Sequence, residues 1–348
     1  MGQQHSTRDK PKAMYVLDKR CFSMIYGPDE TRDIAQLTDI DHQCYEPAWL
    51  QTHPEALAEV EVIFSGWGGP RLDHTFLAHA PKLKALFYGA GSVSEIITEA
   101  AWQRGIAVTT AYAANAVPVV EYSLAAIIFS LKHVWRLAAE TRAQRTFGSQ
   151  EGIPGCYKTT VGLVSMGIVA RLLAERLKTF EMNVVAFDPL LTSEQAAAMG
   201  VTLCSLDELF RRSDVVSVHT PLLAETVGLI TGRHIAAMKP GATLINTARG
   251  QIICEPEMVD VLKQRTDLYA VLDVTYPEPP PANSPLFDMP NVLLTPHIAG
   301  SQGDECRRLG RLMITEFERW LHGKPLQWLV TRELASTSSH RPRAAAGA

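Results

Sequence analysis

The 348-residue chain has no pair of cysteines at C-x-x-C spacing and no cysteine with a histidine at zinc-ligand spacing. Its six cysteines, Cys21, Cys44, Cys156, Cys204, Cys254 and Cys306, are scattered. That argues against a disulfide framework or a zinc module, and for buried thiols in a reducing compartment; no metal is expected. Charge of one sign is also lacking. A formal net charge of −4 offers no electrostatic case for nucleic acid or an anionic membrane as the main partner, which leaves a small molecule. The most apolar run, "YSLAAIIFSL" from Tyr122 to Leu131, is shorter than a bilayer span and follows Glu121. The opening "MGQQHSTRDKPK" has no apolar signal region, so a cytoplasmic location is expected. Gly2 and Ser6 match an N-acylation pattern short enough to occur often by chance, and the segment reads as a disordered leader. No internal repeat is present.

The length exceeds what one hydrophobic core usually supports, so two domains are expected. After the leader, "AMYVLD", "EVIFSG", "LKALFYGAGS" and "AWQRGIAVTT" supply strands and a helix end of a small α/β domain. From Val117 to about Phe147 the period becomes helical and uninterrupted, with Pro118 and Glu121 suited to a helix start. From Thr159 onward, apolar strands alternate with helical stretches, the order of a doubly wound parallel sheet: "TVGLVS", "NVVAFD", "DVVSVHT", "ATLINTA", "LYAVLDVT" and "NVLLTP". "DECRRLGRLMITEFERWLHG" is an amphipathic helix that Gly323 can stop, and it can return to the first domain. The tail from Thr331 has no apolar periodicity and is expected to be disordered.

Ligands of an open parallel sheet bind beyond the carboxyl ends of its strands. There this chain places Ser165 with Gly167, Asp188, His219, Arg249, Glu278 and His297, in strand order. The first turn, "SMGIVA", keeps only the middle glycine of a G-x-G-x-x-G dinucleotide fingerprint, because Ser165 and Ala170 hold the outer places. Alone it reads as an ordinary βα turn. Ser165 requires negative φ or modest strain, and its hydroxyl is within possible reach of a phosphate oxygen. Asp188 lies 21 residues after Gly167, where an acid accepts the hydroxyls of an adenine ribose and repels a 2′-phosphate. A helix cap before "LTSEQ" is the equal alternative. Arg249, Glu278 and His297 change the balance: a histidine that transfers protons near neutral pH, a carboxylate to hold it, and a guanidinium to bind a carboxylate and polarise a carbonyl suit hydride reduction of a 2-keto acid.

"HTPLLAETVGLITGRHIAAMKPGATLINTARG", "VLDVTYPEP" and "NVLLTPHIAGS" closely resemble signature segments of the NAD-dependent D-isomer-specific 2-hydroxyacid dehydrogenases. "YGAGSV", "RGIAVT" and "ANAVPVVEYSLA" extend the resemblance to about Leu83 through Val330. It implies an α/β architecture in which a doubly wound Rossmann nucleotide domain, 120–298, is inserted into a discontinuous flavodoxin-like substrate domain, 13–119 and 299–330, with disordered termini at 1–12 and 331–348. It also implies Arg249, Glu278 and His297 as catalytic residues, 29 and 19 residues apart in turn, and NAD as cofactor, NADH before NADPH. The residues expected to bind the cofactor are Ser165, Gly167, Ile168, Val169, Asp188, His219, Thr247, Ala248, Arg249, Asp273, His297 and Gly300, with Asp273 meeting the nicotinamide carboxamide. Backbone amides around Ala90, Gly91 and Ser92 are expected to hold the substrate carboxylate, together with Arg249. Trp67 in "FSGWGGPRL" is either a pocket residue or a packing residue.

Three departures from the family pattern stand out. "SMGIVA" replaces the glycine fingerprint, "GSVSEII" lacks the aspartates of "GVDNID", and Cys254 stands where "RGxxVD" has aspartate. With Arg71 the only charge in "FSGWGGPRL" and no regulatory domain after the catalytic chain, the expected substrate is glyoxylate, hydroxypyruvate or a somewhat larger 2-keto acid rather than 3-phosphoglycerate. A homodimer is implied, with the helix after Pro118 and the segment through Trp135 as candidate contacts. The rival readings are an NAD(H)-sensing scaffold or corepressor on the same fold and, among enzymes, phosphite or formate oxidation. Formate dehydrogenases of related fold place glutamine where Glu278 stands.

Overall fold

Alternate residues of each central strand are apolar on both faces, which suits strands covered on both sides by helices. The computed structural model describes residues 10–338. It forms two compact units, one of residues 10–115 and 302–338 and one of residues 116–301. The sequence reading places these boundaries at 119/120 and 298/299.

The first unit holds a parallel sheet of β1 (Ala13–Val16), β2 (Cys44–Tyr45), β3 (Val62–Ser65), β4 (Ala85–Tyr88) and β5 (Ala107–Thr110). Its order, β2-β1-β3-β4-β5, is the flavodoxin-like one. Met14, Val16, Ile63, Leu86 and Val108 enter one apolar layer; Ala13, Tyr15, Phe64 and Phe87 enter the other. The helix Cys306–Leu321 covers the second layer with Leu309, Met313 and Phe317, one face at helical spacing. The Phe317 ring lies 5.2 Å from Phe64 and 5.4 Å from Phe87. Arg311 from the same helix pairs with Glu30 at 2.6 Å and with Asp33.

Both expected disordered ends need correction inside the described range. Pro11 accepts a backbone hydrogen bond from Asp39 at 3.0 Å, and Lys12 bridges to Asp39. Arg332–Ser336 is a short helix, because the Thr331 hydroxyl caps it by accepting from the Leu334 amide at 3.1 Å. The rest of the expected leader and tail, 1–9 and 339–348, lies outside the described residues.

The second unit holds β6 (Thr160–Val164), β7 (Asn183–Phe187), β8 (Thr202–Leu203), β9 (Val215–Val218), β10 (Thr243–Asn246), β11 (Tyr269–Leu272) and β12 (Val292–Leu294). All pairings are parallel, in the order β8-β7-β6-β9-β10-β11-β12. Strand order reverses between β6 and β9, which opens a crevice at their carboxyl ends. Val161, Leu163, Val184 and Ile245 face one apolar layer; Val164, Val216, Val218 and Leu244 face the other.

The helix expected from Pro118 through Phe147 is two helices, Tyr112–Leu131 and Val134–Gln144. His133 breaks them with φ at +49°. Pro118 falls inside the first helix rather than at its start; the apolar residues Ala116, Pro118, Val120 and Ile127 are buried, and burial outweighs the one backbone bond that proline removes. At 20 residues this helix is long and apolar enough to cross a membrane by length and composition, which corrects the estimate from its apolar run alone. Here Val120, Ala126, Ile127 and Leu131 pack in the core of the second unit.

Candidate active site

β6 ends in the turn Ser165–Gly167, which opens the helix Ile168–Leu177. Ser165 adopts φ +71°, so it takes the left-handed conformation of the glycine it replaces instead of a relaxed turn. Its hydroxyl donates to Thr220 Oγ1 at 3.1 Å, and Thr220 in turn donates to the Val164 carbonyl at 3.2 Å. The serine hydroxyl thus has a partner within the protein. The Ser165 amide donates to the Phe187 carbonyl at 2.7 Å, and Arg171 Nε donates to the Met166 carbonyl at 2.7 Å.

Asp188, at the end of β7, ties into the same turn. Its carboxylate accepts the Met166 amide at 2.7 Å and the Leu190 amide at 2.8 Å. It caps no helix, since Thr192 caps Ser193–Ala198. Gly167 has φ −69°, which any residue adopts, and a Cβ placed there meets no protein atom within 4 Å. Neither backbone geometry nor protein packing asks for glycine at this position. The open space and the helix start at Ile168 fit the close approach of an anionic group such as a pyrophosphate. Ala170, in the first turn of the helix, is buried in the core at the place of the third glycine.

The turn after β10 is pinned by Asn246, whose Oδ1 accepts the Ala248 amide at 3.0 Å while its Nδ2 donates to the Arg249 carbonyl at 2.9 Å. Arg249 follows, with Nη1 donating to the Ala248 carbonyl at 2.6 Å. Gly250 lets this turn meet the loop after β11: a Cβ there would lie 2.1 Å from the Thr275 carbonyl carbon. Glu255 also ties to that loop, accepting the Tyr276 amide at 3.4 Å, and burial pushes its carboxyl up. Cys254, in place of the family's aspartate, makes no side-chain cap of the helix Glu255–Gln264.

Glu278 stands on the β11 loop and His297 on the loop after β12. Glu278 Oε1 lies 2.5 Å from His297 Nδ1, and both side chains are more than two-fifths exposed, so a small molecule has access to the pair. His297 Nε2 has no hydrogen bond to any described residue. The His297 backbone sits at φ +54°, held by its amide, which donates to the Asp273 carbonyl at 2.9 Å. Asp273 is fully buried, and its carboxylate accepts from the Thr295 hydroxyl at 2.7 Å, the Ile298 amide at 2.8 Å and the Ala299 amide at 2.9 Å. Thr295 Oγ1 is also 2.8 Å from the Tyr122 hydroxyl.

His219 Nε2 lies 3.0 Å from the Ser217 hydroxyl, and burial pushes its imidazole down to about 4, so it is neutral at pH 7. The buried Thr247 hydroxyl lies 3.5 Å from that of Ser123. Ala248 and Gly300 are half-buried. Ala90, Gly91, Ser92 and Trp67 belong to the first unit. The Ala90 amide donates to the Tyr88 carbonyl at 2.8 Å, so it is not one of the donors expected for a substrate carboxylate. Trp67 packs against both apolar layers of its own unit. Among the described residues, no group of three or more His, Cys, Asp or Glu is arranged to hold a metal.

Residues 124–299 match the family model for the NAD-binding domain of the D-isomer-specific 2-hydroxyacid dehydrogenases. The chain belongs to this family. The D-3-phosphoglycerate dehydrogenase of Mycobacterium leprae is 34% identical over 239 residues, 69% of this chain and 45% of that one. This chain thus spans about half the length of the phosphoglycerate dehydrogenases it matches. The (S)-sulfolactate dehydrogenase of Chromohalobacter salexigens is 35% identical over 257 residues, 72% of this chain and 82% of that one. The crystal structure of apo D-mandelate dehydrogenase from Rhodotorula graminis shares the fold, with a TM-score of 0.78 at 24% identity over 93% of this chain and 98% of that one. In family terms, the second unit holds the NAD-binding domain.

Proposed function

We propose that the protein reduces a small 2-keto acid to the D-2-hydroxy acid, or runs the reverse reaction, with NAD(H). The observation that carries this reading is the His297–Glu278 pair, 2.5 Å apart on the loops after β12 and β11, with Nε2 bonded to none of the described residues. Bound NADH would supply the hydride. Protonated His297 donates from Nε2 to the carbonyl oxygen, and Glu278 holds Nδ1, fixing the ring and balancing its charge. Arg249 binds the substrate carboxylate and stabilises charge that develops on the oxygen. The first unit is in this reading the substrate domain, and the roles of Gly91 and Ser92 as substrate-carboxylate donors rest on the family resemblance alone.

Asp188 favours NADH over NADPH, because its carboxylate repels a 2′-phosphate while its oxygens retain lone pairs for ribose hydroxyls. A cytoplasmic homodimer is part of the proposal and rests on the family resemblance.

The test is NADH and NADPH oxidation followed by absorbance against glyoxylate, hydroxypyruvate, larger 2-keto acids and 3-phosphohydroxypyruvate. NADH-dependent reduction of an unphosphorylated acid to the D-product is the expected result. Cofactor binding with no reduction across the panel would overturn the reading and favour a scaffold.

A further inference from the structure

We propose that Tyr122 is a positioning residue for His297, acting through Thr295 and Asp273. The inference rests on the assignment of His297 as the acid. Three side chains, Tyr122, Thr295 and Asp273, form a hydrogen-bonded chain. The Asp273 carboxylate only accepts, and Thr295 donates its single hydroxyl proton to it at 2.7 Å. Tyr122 must then be the donor in its 2.8 Å contact with Thr295 Oγ1. Burial pushes the Tyr122 phenol above its ordinary range, so the donor form persists at any working pH.

The end of this chain is the histidine loop. Asp273 accepts the amides of Ile298 and Ala299 through its carboxylate and that of His297 through its carbonyl, so three consecutive amides hang on one residue. His297 sits among them at φ +54°, a strained conformation that persists only where neighbours over-determine it. A fully buried carboxylate needs its donors, and losing one leaves the others to hold it. Tyr122 is fixed to a 20-residue helix, whereas Thr295 lies in a loop, so the tyrosine is the rigid end of the link.

Tyr122→Phe removes the phenol oxygen and keeps the ring. It should lower kcat roughly three- to tenfold, the worth of one net hydrogen bond, with the NADH Kd unchanged within about twofold. In a His297→Asn background the same substitution should have no further effect on turnover. Amide hydrogen exchange, measured without any ligand, should quicken at 297–299 and stay the same in β6 and β9. Thr295→Val should reproduce these effects, which keeps the proposal testable if Tyr122→Phe itself folds poorly, and Thr295→Ser, which keeps the hydroxyl, should behave as wild type. Unchanged exchange at 297–299 overturns the proposal, as does an equal loss of turnover with and without His297. If wild type reduces no 2-keto acid, the catalytic reading of His297 fails by itself, and the exchange data alone decide whether Tyr122 holds the loop.

Discussion

The hydroxyl of Ser165 donates to Thr220 Oγ1 at 3.1 Å while the Ser165 backbone holds φ +71°, so a pair of hydroxyls maintains a turn that glycine ordinarily forms. Ser165→Gly should therefore raise stability by up to about 1 kcal/mol, the cost of a left-handed non-glycine residue, and leave the NADH Kd equal or lower. Thr220→Val should weaken NADH binding several-fold in wild type and much less in the Ser165→Gly background. Fluorescence titration and thermal melts measure both. Weaker NADH binding by Ser165→Gly would mean that the serine hydroxyl turns to the phosphate instead.

Gly250 is fixed by contact rather than by conformation. A Cβ would meet the Thr275 backbone at 2.1 Å, and backbone cannot step aside as a flexible side chain does. Gly250→Ala should force the β10 and β11 loops apart, cost roughly 1–3 kcal/mol in a denaturant titration and cut turnover more than tenfold. NADH affinity should fall far less, since the Ser165–Gly167 turn is on another strand.

Much of this arrangement is legible in the sequence because parallel sheets put ligand-binding residues at strand ends. Arg249, Glu278 and His297 each follow an apolar run, and the direct His297–Glu278 contact joins two of them. β2 and β8 escape notice because two residues carry no periodicity. Pro118 misleads about the helix start, since burial decides that helix more than the proline does. Tyr122 and Thr295 lie 173 residues apart, and a hydroxyl pair leaves no spacing signal. The φ of Ser165 is likewise invisible: serine ordinarily argues against the conformation that Thr220 and the Phe187 carbonyl hold it in.

Burial holds His219 near 4, below its ordinary value of about 6.5, so the unfolded chain binds the proton first as pH falls. Its contribution to stability is present above pH 6.5 and is lost as pH drops from there toward 4. His133 and His234 are lowered by burial as well and act with the same sign. His219→Gln should thus shrink, without abolishing, the stability difference between pH 7 and pH 5 in urea unfolding. An unchanged difference would contradict the assignment of this histidine as neutral at pH 7 in the folded chain.

The central claim is that His297 moves the proton in a hydride-transfer reaction. The most direct measurement compares steady-state NADH oxidation and NADH Kd for wild type and His297→Asn with the best 2-keto acid of the panel. The account predicts an unchanged Kd and a fall in kcat on the order of 10²–10⁴, the usual worth of a positioned acid. Near-normal turnover in His297→Asn would contradict it.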